Sequence, residues 1–187
     1  EKQGFHNFKI SLKSSNVLDT ISGYRLLAKE VDYPLHLGVT EAGPAFSGSI
    51  KSAIALGALL ADGVGDTIRV SLTADCKEEV KTAKAILKSL GLRQFGADVI
   101  ACPSCARAEV DVVKLANRVE QAVAHIKTPL KIAVMGCAVN GPGEAREADV
   151  GIASGRKEGL LYVGGKTVNK VPENELFDTL MKQIEQM

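Results

Sequence analysis

Strand-like and helix-like segments alternate through the first half of this sequence. Strand-like runs at 7–12, 34–40 and 66–72 are each followed by a helix-like run, at 16–31, 48–63 and 76–91. Asn16 and Asp75 are predicted N-caps, and Gly63 and Gly91 are predicted helix stops. This alternation predicts βα units around a parallel sheet. Three such units cannot close a (β/α)8 barrel, which needs roughly 250 residues, so they form an open sheet or part of a barrel.

The pattern changes near residue 96. A short strand leads into Cys102, an amphipathic helix is predicted at 107–126, and another strand ends at Cys137. Gly164-Gly165 between two strand-like runs predicts a hairpin, and a last helix is predicted at 173–186. We therefore predict an α/β protein with two domains, at residues 1–92 and 96–187.

Composition narrows the classes of function. The chain has 187 residues, 23 basic and 22 acidic, with a net charge of +1. This balance gives no reason to expect a nucleic-acid or anionic-membrane partner. No apolar run approaches the ~20 residues that span a bilayer, and no targeting segment is apparent. Four cysteines are too few for a disulfide scaffold, so we expect a reducing compartment, the cytoplasm.

Three of the four cysteines lie in two short motifs. Cys102 and Cys105 form CPSC, and Cys137 begins CAVNGPGE. If the strands before these motifs are parallel neighbours, the thiols emerge at the same sheet edge and converge. We also expect CPSC to lie at a helix start, where the helix dipole favours thiolate. Cys76 has no partner in the sequence pattern.

Three thiolates leave the fourth position of a metal site to fill. His125 lies at the far end of the predicted crossover helix and is badly placed. Glu144 is better placed, because a turn through Gly141, Pro142 and Gly143 could fold the chain back toward Cys137. Spacing alone leaves three alternatives open: an iron–sulfur cluster, a zinc site, or thiols without metal.

Polar residues also lie at the ends of the first three strands. They are Lys13, Glu41, Arg69 and Ser71, the last two on one strand face. In a barrel these positions line the active site. Ordinary explanations are also available: Lys13 as a solvated loop residue, Glu41 as a helix cap, and Arg69 as half of a structural ion pair. His36, within a strand of Leu and Val, is expected to be a core residue.

Four strings resemble one enzyme family closely: HLGVTEAG, GDTIRVSLTAD, CPSCAR and MGCAVNGPGEAREADVGIA. The family is 4-hydroxy-3-methylbut-2-enyl diphosphate synthase, and the chain resembles the C-terminal half of its bacterial two-domain form. The resemblance implies that residues 1–92 are the last three βα units of a TIM-type barrel. It implies that residues 96–187 are an α+β, sulfite-reductase-like iron–sulfur domain. A [4Fe–4S] cluster would be held by Cys102, Cys105, Cys137 and Glu144.

The resemblance also implies a reaction. It is the reductive ring opening and dehydration of 2-C-methyl-D-erythritol 2,4-cyclodiphosphate in non-mevalonate isoprenoid synthesis, with electrons from ferredoxin or flavodoxin. Lys13, Arg69, Ser71 and Asn140 would bind the substrate, and Glu41 would supply a proton.

Family members are homodimers, and a chain with only part of the barrel is expected to be inactive alone. The competing hypotheses are a zinc-stabilised structural or interaction module and a generic iron–sulfur electron-transfer module.

Overall fold

Helices and strands both occur throughout the chain, which makes the protein α/β. A computed structural model describes residues 2–187. The chain divides into an N-terminal unit, Glu1–Gln94, and a C-terminal unit, Phe95–Met187. Across the described residues, no helix combines the length and apolarity needed to cross a membrane.

The N-terminal unit contains three helices on a small parallel sheet. The helices are α1 (Val17–Glu30), α2 (Ala45–Ala61) and α3 (Cys76–Ser89), and the paired strands are β1 (His36–Leu37) and β2 (Thr67–Ile68). Single parallel bridges, Ile10 with Leu35 and Pro44 with Thr73, extend the pairing. The regular strands are thus much shorter than predicted, although backbone hydrogen bonds such as Thr40 N–H to Ser14 O continue beyond them.

The two predicted N-caps are confirmed. The Asn16 side chain accepts a hydrogen bond from the backbone N–H of Asp19, and Asp75 accepts one from Lys77. Gly63 and Gly91 follow α2 and α3 at positive φ, +76° and +67°, where glycine is unstrained. The local signals in the sequence therefore mark the start of α1, the end of α2 and both ends of α3.

Alternation along β1 separates the core of this unit from an open face. Leu35, Leu37 and Val39 are buried against the helices, where they meet Leu56 and Leu59 of α2. Every second residue faces the other way because side chains alternate along a strand.

The side chain of Tyr24 connects α1 to the strand segments of this unit. Its side chain is fully buried, and its hydroxyl accepts the Leu12 N–H at 2.9 Å. The same hydroxyl lies within hydrogen-bond distance of the carbonyl oxygens of Leu12 and His36.

The C-terminal unit is built on a five-stranded sheet in the order β3-β4-β5-β6-β7. The strands are β3 (Ala97–Ala101), β4 (Leu130–Met135), β5 (Val150–Gly155), β6 (Glu158–Val163) and β7 (Lys166–Pro172). The first three are parallel, and the last three form an antiparallel meander. The carboxyl ends of β3, β4 and β5 therefore lie at one edge of the sheet.

Helices cover both faces of this sheet. α4 (Val112–Val123) and α6 (Leu176–Glu185) pack Val119 and Leu180 against Ile132 and Ile152. The six-residue α5 (Gly141–Arg146) packs Ala145 in a second cluster with Ala133, Ala153 and Tyr162. A 3-10 turn, Glu173–Glu175, precedes α6.

The predicted hairpin is confirmed and one helix boundary is wrong. Gly164 and Gly165 have φ of +53° and +78° and join Val163 to its partner Lys166, as a two-residue hairpin turn requires. The helix predicted from residue 107 begins instead at Val112, because the Asp111 side chain accepts the N–H of Lys114 and caps it there.

Candidate metal and substrate sites

Two cysteines follow the neighbouring carboxyl ends of β3 and β4. Ala101 pairs with Val134 in parallel register, so Cys102 and Cys137 leave the sheet at the same edge, as parallel pairing predicts. The Sγ atom of Cys102 accepts a hydrogen bond from the backbone N–H of Gly136 at 3.1 Å. We call this part of the sheet, with its two thiols, the cysteine edge.

The surroundings of Cys137 favour the thiolate form. Its side chain is buried, which by itself would raise the pKa of the thiol. Backbone N–H groups of Asn140 and Val139 hydrogen-bond the sulfur and outweigh this, so the pKa of Cys137 lies below its ordinary value. The Gly141 N–H and the positive charge of Arg107 act in the same direction.

The other two expected ligands are not gathered at the cysteine edge. Cys105 is exposed in an irregular loop, and Glu144 is exposed on the first turn of α5. Within residues 2–187, no three Cys, His, Asp or Glu side chains are grouped closely enough to hold a metal ion. The structure thus places Cys102 beside the start of the Cys137 motif and leaves Cys105 and Glu144 exposed, and the four-ligand site stays a prediction.

Two local expectations about these motifs are wrong. CPSC does not open a helix, because α4 starts only at Val112, so a helix dipole does not act on Cys102 or Cys105. The Gly-Pro-Gly sequence is not a turn but the start of α5, in which Pro142 occupies the first turn, where its missing N–H costs nothing.

The cysteine edge nevertheless suits a thiolate-bound metal group. Iron–sulfur clusters and zinc take deprotonated cysteine as ligand, and N–H donors around the sulfur stabilise that form. A backbone N–H donates to the sulfur of Cys102, and backbone N–H groups lower the pKa of Cys137. Cys105 and Glu144 adjoin the same edge, on the loop after β3 and the helix after β4, and must turn inward to complete a four-ligand site.

The open face of the N-terminal sheet carries the predicted substrate residues. Arg69 and Ser71 alternate with buried Val70, and Lys13 follows the partly buried Leu12. A Cβ added to Gly38 would lie 3.1 Å from the Arg69 carbonyl oxygen, so glycine lets these two backbone segments approach closely. Lys13 and Arg69 are exposed there, so two cations and a hydroxyl share the face away from the helices.

Glu41 follows β1 in an unusual backbone conformation. Its φ is +54°, a left-handed value that is rare outside glycine. Such strain persists where surrounding structure holds it and is concentrated at functional positions. The side chain is exposed at the carboxyl end of β1.

The prediction that His36 is a core residue is wrong. Its Nδ1 atom lies 2.7 Å from Thr67 Oγ1, and its side chain is half-buried on the same face as Arg69. Burial lowers the pKa of His36, and the charges of Lys9 and Arg69 lower it further. The signal in the sequence is the Leu35-His36-Leu37 alternation, which places His36 opposite the two buried leucines.

The fold and the cysteine edge define an α/β protein whose C-terminal unit places two cysteines at the carboxyl ends of neighbouring parallel strands. Two models of one family match the sequence: the GcpE TIM-barrel domain at residues 1–84 and the GcpE protein C-terminal domain at residues 98–186. The chain belongs to the GcpE family.

Curated relatives match both units. The chain is 55% identical over 186 residues to a protein of Symbiobacterium thermophilum and 57% identical over 187 residues to one of Caldanaerobacter subterraneus subsp. tengcongensis. Each is named 4-hydroxy-3-methylbut-2-en-1-yl diphosphate synthase (flavodoxin). The matches cover all of this chain but 50% and 53% of those proteins, so the chain spans about half the length of these relatives.

Proposed function

We propose that the chain is the C-terminal half of a 4-hydroxy-3-methylbut-2-en-1-yl diphosphate synthase. The observation that carries this proposal is the 55% identity, over the whole chain, to a relative with that name. The reaction would be the reductive ring opening of 2-C-methyl-D-erythritol 2,4-cyclodiphosphate. It consumes two electrons and releases water.

The two units would divide this work as residues 1–92 and 96–187. The N-terminal unit would be the last three βα units of a TIM-type barrel, which its parallel pairing and three packed helices support. The C-terminal unit would be an α+β, sulfite-reductase-like domain, supported by its five-stranded sheet with helices on both faces.

The cofactor would be a [4Fe–4S] cluster at the cysteine edge. Cys102, Cys105 and Cys137 would supply thiolates, and Glu144 would supply a carboxylate. When bound, the cluster supplies the electrons for the reduction. The chain's own contribution would be the backbone N–H donors of Asn140 and Val139, which lower the pKa of Cys137 and so favour the thiolate form that binds metal.

The open face of the N-terminal sheet would bind the substrate. Lys13 and Arg69 carry the charges that a diphosphate requires, and the Ser71 hydroxyl can donate to one of its oxygens. Glu41 would act as a general acid that gives a proton to the departing hydroxyl. Asn140, exposed beside the cysteine edge, would hydrogen-bond the same substrate through its side-chain amide.

We also propose the partners of the whole enzyme. Flavodoxin is named as the donor in the relatives, and ferredoxin is the alternative electron carrier. The complete protein would be a homodimer in the cytoplasm, where thiolates stay reduced. This chain alone would not turn over, because barrel strands that bind substrate would be missing from it.

Metal analysis and turnover test the proposal together. After anaerobic purification, the chain should hold about four iron and four sulfide per molecule. A full-length version should convert the cyclodiphosphate when sodium dithionite supplies electrons. One zinc per chain without sulfide would overturn the cluster, and an iron-loaded full-length protein that leaves the cyclodiphosphate unchanged would overturn the reaction.

A further inference from the structure

The turn that joins β5 to β6 lies beside the cysteine edge. β5 runs parallel to β4, with Met135 paired to Ala153, so the chain leaves both strands on the same side of the sheet. A Cβ added to Gly155 would lie 3.8 Å from the Cβ of Ala138, the residue after Cys137. The residues that follow Gly155 are therefore immediate neighbours of the Cys137 loop.

Two exposed cations, Arg156 and Lys157, make up this turn. Gly155 pairs with Glu158, so only these two residues connect the strands. Lys157 has a φ of +65°, which glycine or asparagine would adopt with less strain. Neither side chain has an ion-pair partner within 4.0 Å in the described part of the chain. A strained lysine in a turn suited to glycine points to a use for its charge.

A third cation, Arg107, flanks the thiols on their other side. It lies in the loop after Cys105, where the Ala108 N–H bonds the Cys105 carbonyl. The Glu109 N–H donates to Gly136 O at 2.8 Å and ties this loop to the Cys137 motif. Arg107 is exposed and likewise has no ion-pair partner within 4.0 Å among residues 2–187.

Carboxylates near this edge offset the cations only in part. Lys170 neutralises Glu158 at 2.6 Å. Glu109 lies on the Arg107 loop, Asp111 caps α4 two residues later, and the Glu173 N–H bonds the Lys157 carbonyl, so three carboxylates remain besides Glu144. Exposed Lys114 lines one groove with Asp111 and Glu173. If Glu144 binds the metal group, four cations therefore face three carboxylates, none of them ion-paired within 4.0 Å in the described part of the chain.

We propose that Arg107, Arg156 and Lys157 form the docking surface for a protein electron carrier with an acidic face around its redox group. The proposal rests on the proposed function, since an iron–sulfur group at the cysteine edge must receive electrons there. Each docked carrier is oxidised by one electron and the chain's metal group is reduced by one, so two encounters supply one reduction. Opposite charges at the contact raise the association rate and set its orientation.

Charge reversal with a matched control tests this surface. Arg156→Glu/Lys157→Glu removes two cations at the cysteine edge. Lys127→Glu/Lys166→Glu makes the same charge change at exposed lysines before β4 and at the β6–β7 turn, on the opposite edge of the sheet. Calorimetry should follow binding of oxidised flavodoxin to the iron-loaded chain at low and high salt.

We expect the first pair to raise the Kd of flavodoxin about tenfold at low salt and to flatten its salt dependence. The control pair should change the Kd less than about twofold. Equal effects of both pairs, or no effect of the first, would overturn the proposal. Lys157→Gly removes one of these charges and also relieves the positive φ, so it should fold well. It should still raise the Kd of flavodoxin severalfold, which separates loss of charge from a folding defect in the double variant.

Full-length turnover separates this inference from the proposed function. In the Arg156→Glu/Lys157→Glu enzyme, flavodoxin-driven turnover should fall while dithionite-driven turnover stays at the wild-type level. A higher KM for the cyclodiphosphate with an unchanged KM for flavodoxin would assign these cations to substrate and overturn the docking surface. Absence of dithionite-driven turnover in the wild-type enzyme would reject the proposed function, while the binding experiment still decides the docking surface.

Discussion

The Sγ atom of Cys102 lies 3.1 Å from the backbone nitrogen of Gly136, so the residue before Cys137 donates a hydrogen bond to the first cysteine of CPSC. This contact joins two motifs that are 34 positions apart in the sequence. It exists because β3 and β4 are parallel neighbours that end together. The pairing of the two strands therefore brings these thiols to one place in the fold.

Replacement of a thiol at this edge should remove the metal group. Cys102→Ser and Cys137→Ser should each lose most of the bound iron and sulfide, because a hydroxyl is a poor substitute for a thiolate ligand. Cys76→Ser is the matched control, since Cys76 is exposed at the start of α3 in the N-terminal unit. Iron and sulfide analysis of anaerobically purified protein gives the result. Full iron retention in Cys102→Ser, or equal loss in Cys76→Ser, would contradict a cluster at this edge.

We expect Glu41 to lower the free energy of unfolding and to be required for turnover. Its φ of +54° costs a non-glycine residue about 1 kcal/mol, so Glu41→Gly should raise the free energy of unfolding by about that amount. The same substitution removes the proposed general acid, and full-length turnover should collapse. Urea unfolding and a dithionite-driven assay measure the two effects.

Glu41→Ala separates the backbone from the carboxylate. Alanine carries a Cβ and meets the same strain, so this variant should lose turnover without gaining stability. Equal stabilisation by alanine and glycine would mean that the carboxylate, not the positive φ, destabilises the loop. Wild-type turnover in either variant would remove Glu41 from the mechanism.

Local signals account for what the sequence predicted correctly. Asn16 and Asp75 cap helices, and Gly164-Gly165 forms the hairpin turn, because each depends only on residues close in sequence. The shared edge of Cys102 and Cys137 followed from one topological rule about parallel strands.

The errors have two sources, one close tertiary contact and one local helix cap that the apolar pattern conceals. Gly141 starts a helix rather than a turn because its lack of a Cβ lets the chain approach β4 and β5 closely. The start of α4 depends on Asp111 rather than on the apolar pattern, which extends further back. Cys105 lies in the loop that these boundaries leave before α4, and Glu144 lies on α5, so the exposure of both residues depends on where the two helices begin.

His36 should make the N-terminal unit more sensitive to acid. Its pKa is lowered by burial and by the charges of Lys9 and Arg69, so the folded state binds the proton less readily than the unfolded state. The contribution to stability is complete above the unfolded pKa, near 6.5, and is lost as pH falls toward and through the lowered folded pKa. The free energy of unfolding should thus fall more steeply with acidification in wild type than in His36→Gln. Urea unfolding at a series of pH values compares the slopes, and parallel curves would exclude this role.

Gly141 and Gly143 offer a matched pair within one helix. A Cβ on Gly141 would lie 2.9 Å from the Cβ of Met135 and 3.1 Å from the Cβ of Ala153, closer than packed carbons tolerate. A Cβ on Gly143 would meet nothing within 4 Å. Gly141→Ala should therefore destabilise the protein by about 1–3 kcal/mol through overpacking. Gly143→Ala should instead stabilise it by up to about 1 kcal/mol through helix propensity.

The same two variants test whether the packing of α5 helps the cysteine edge to retain its metal group. Because the N–H groups of residues 139–141 contact the Cys137 sulfur, a shift of α5 away from the sheet should also weaken retention of the metal group. Gly141→Ala should then lose iron to a chelator faster than wild type, while Gly143→Ala should match wild type. If Gly141→Ala is destabilised but holds iron as firmly as Gly143→Ala, the close packing at Gly141 serves stability alone. In that case the Cys137 loop itself, and not α5, would hold these N–H groups in position against the sulfur.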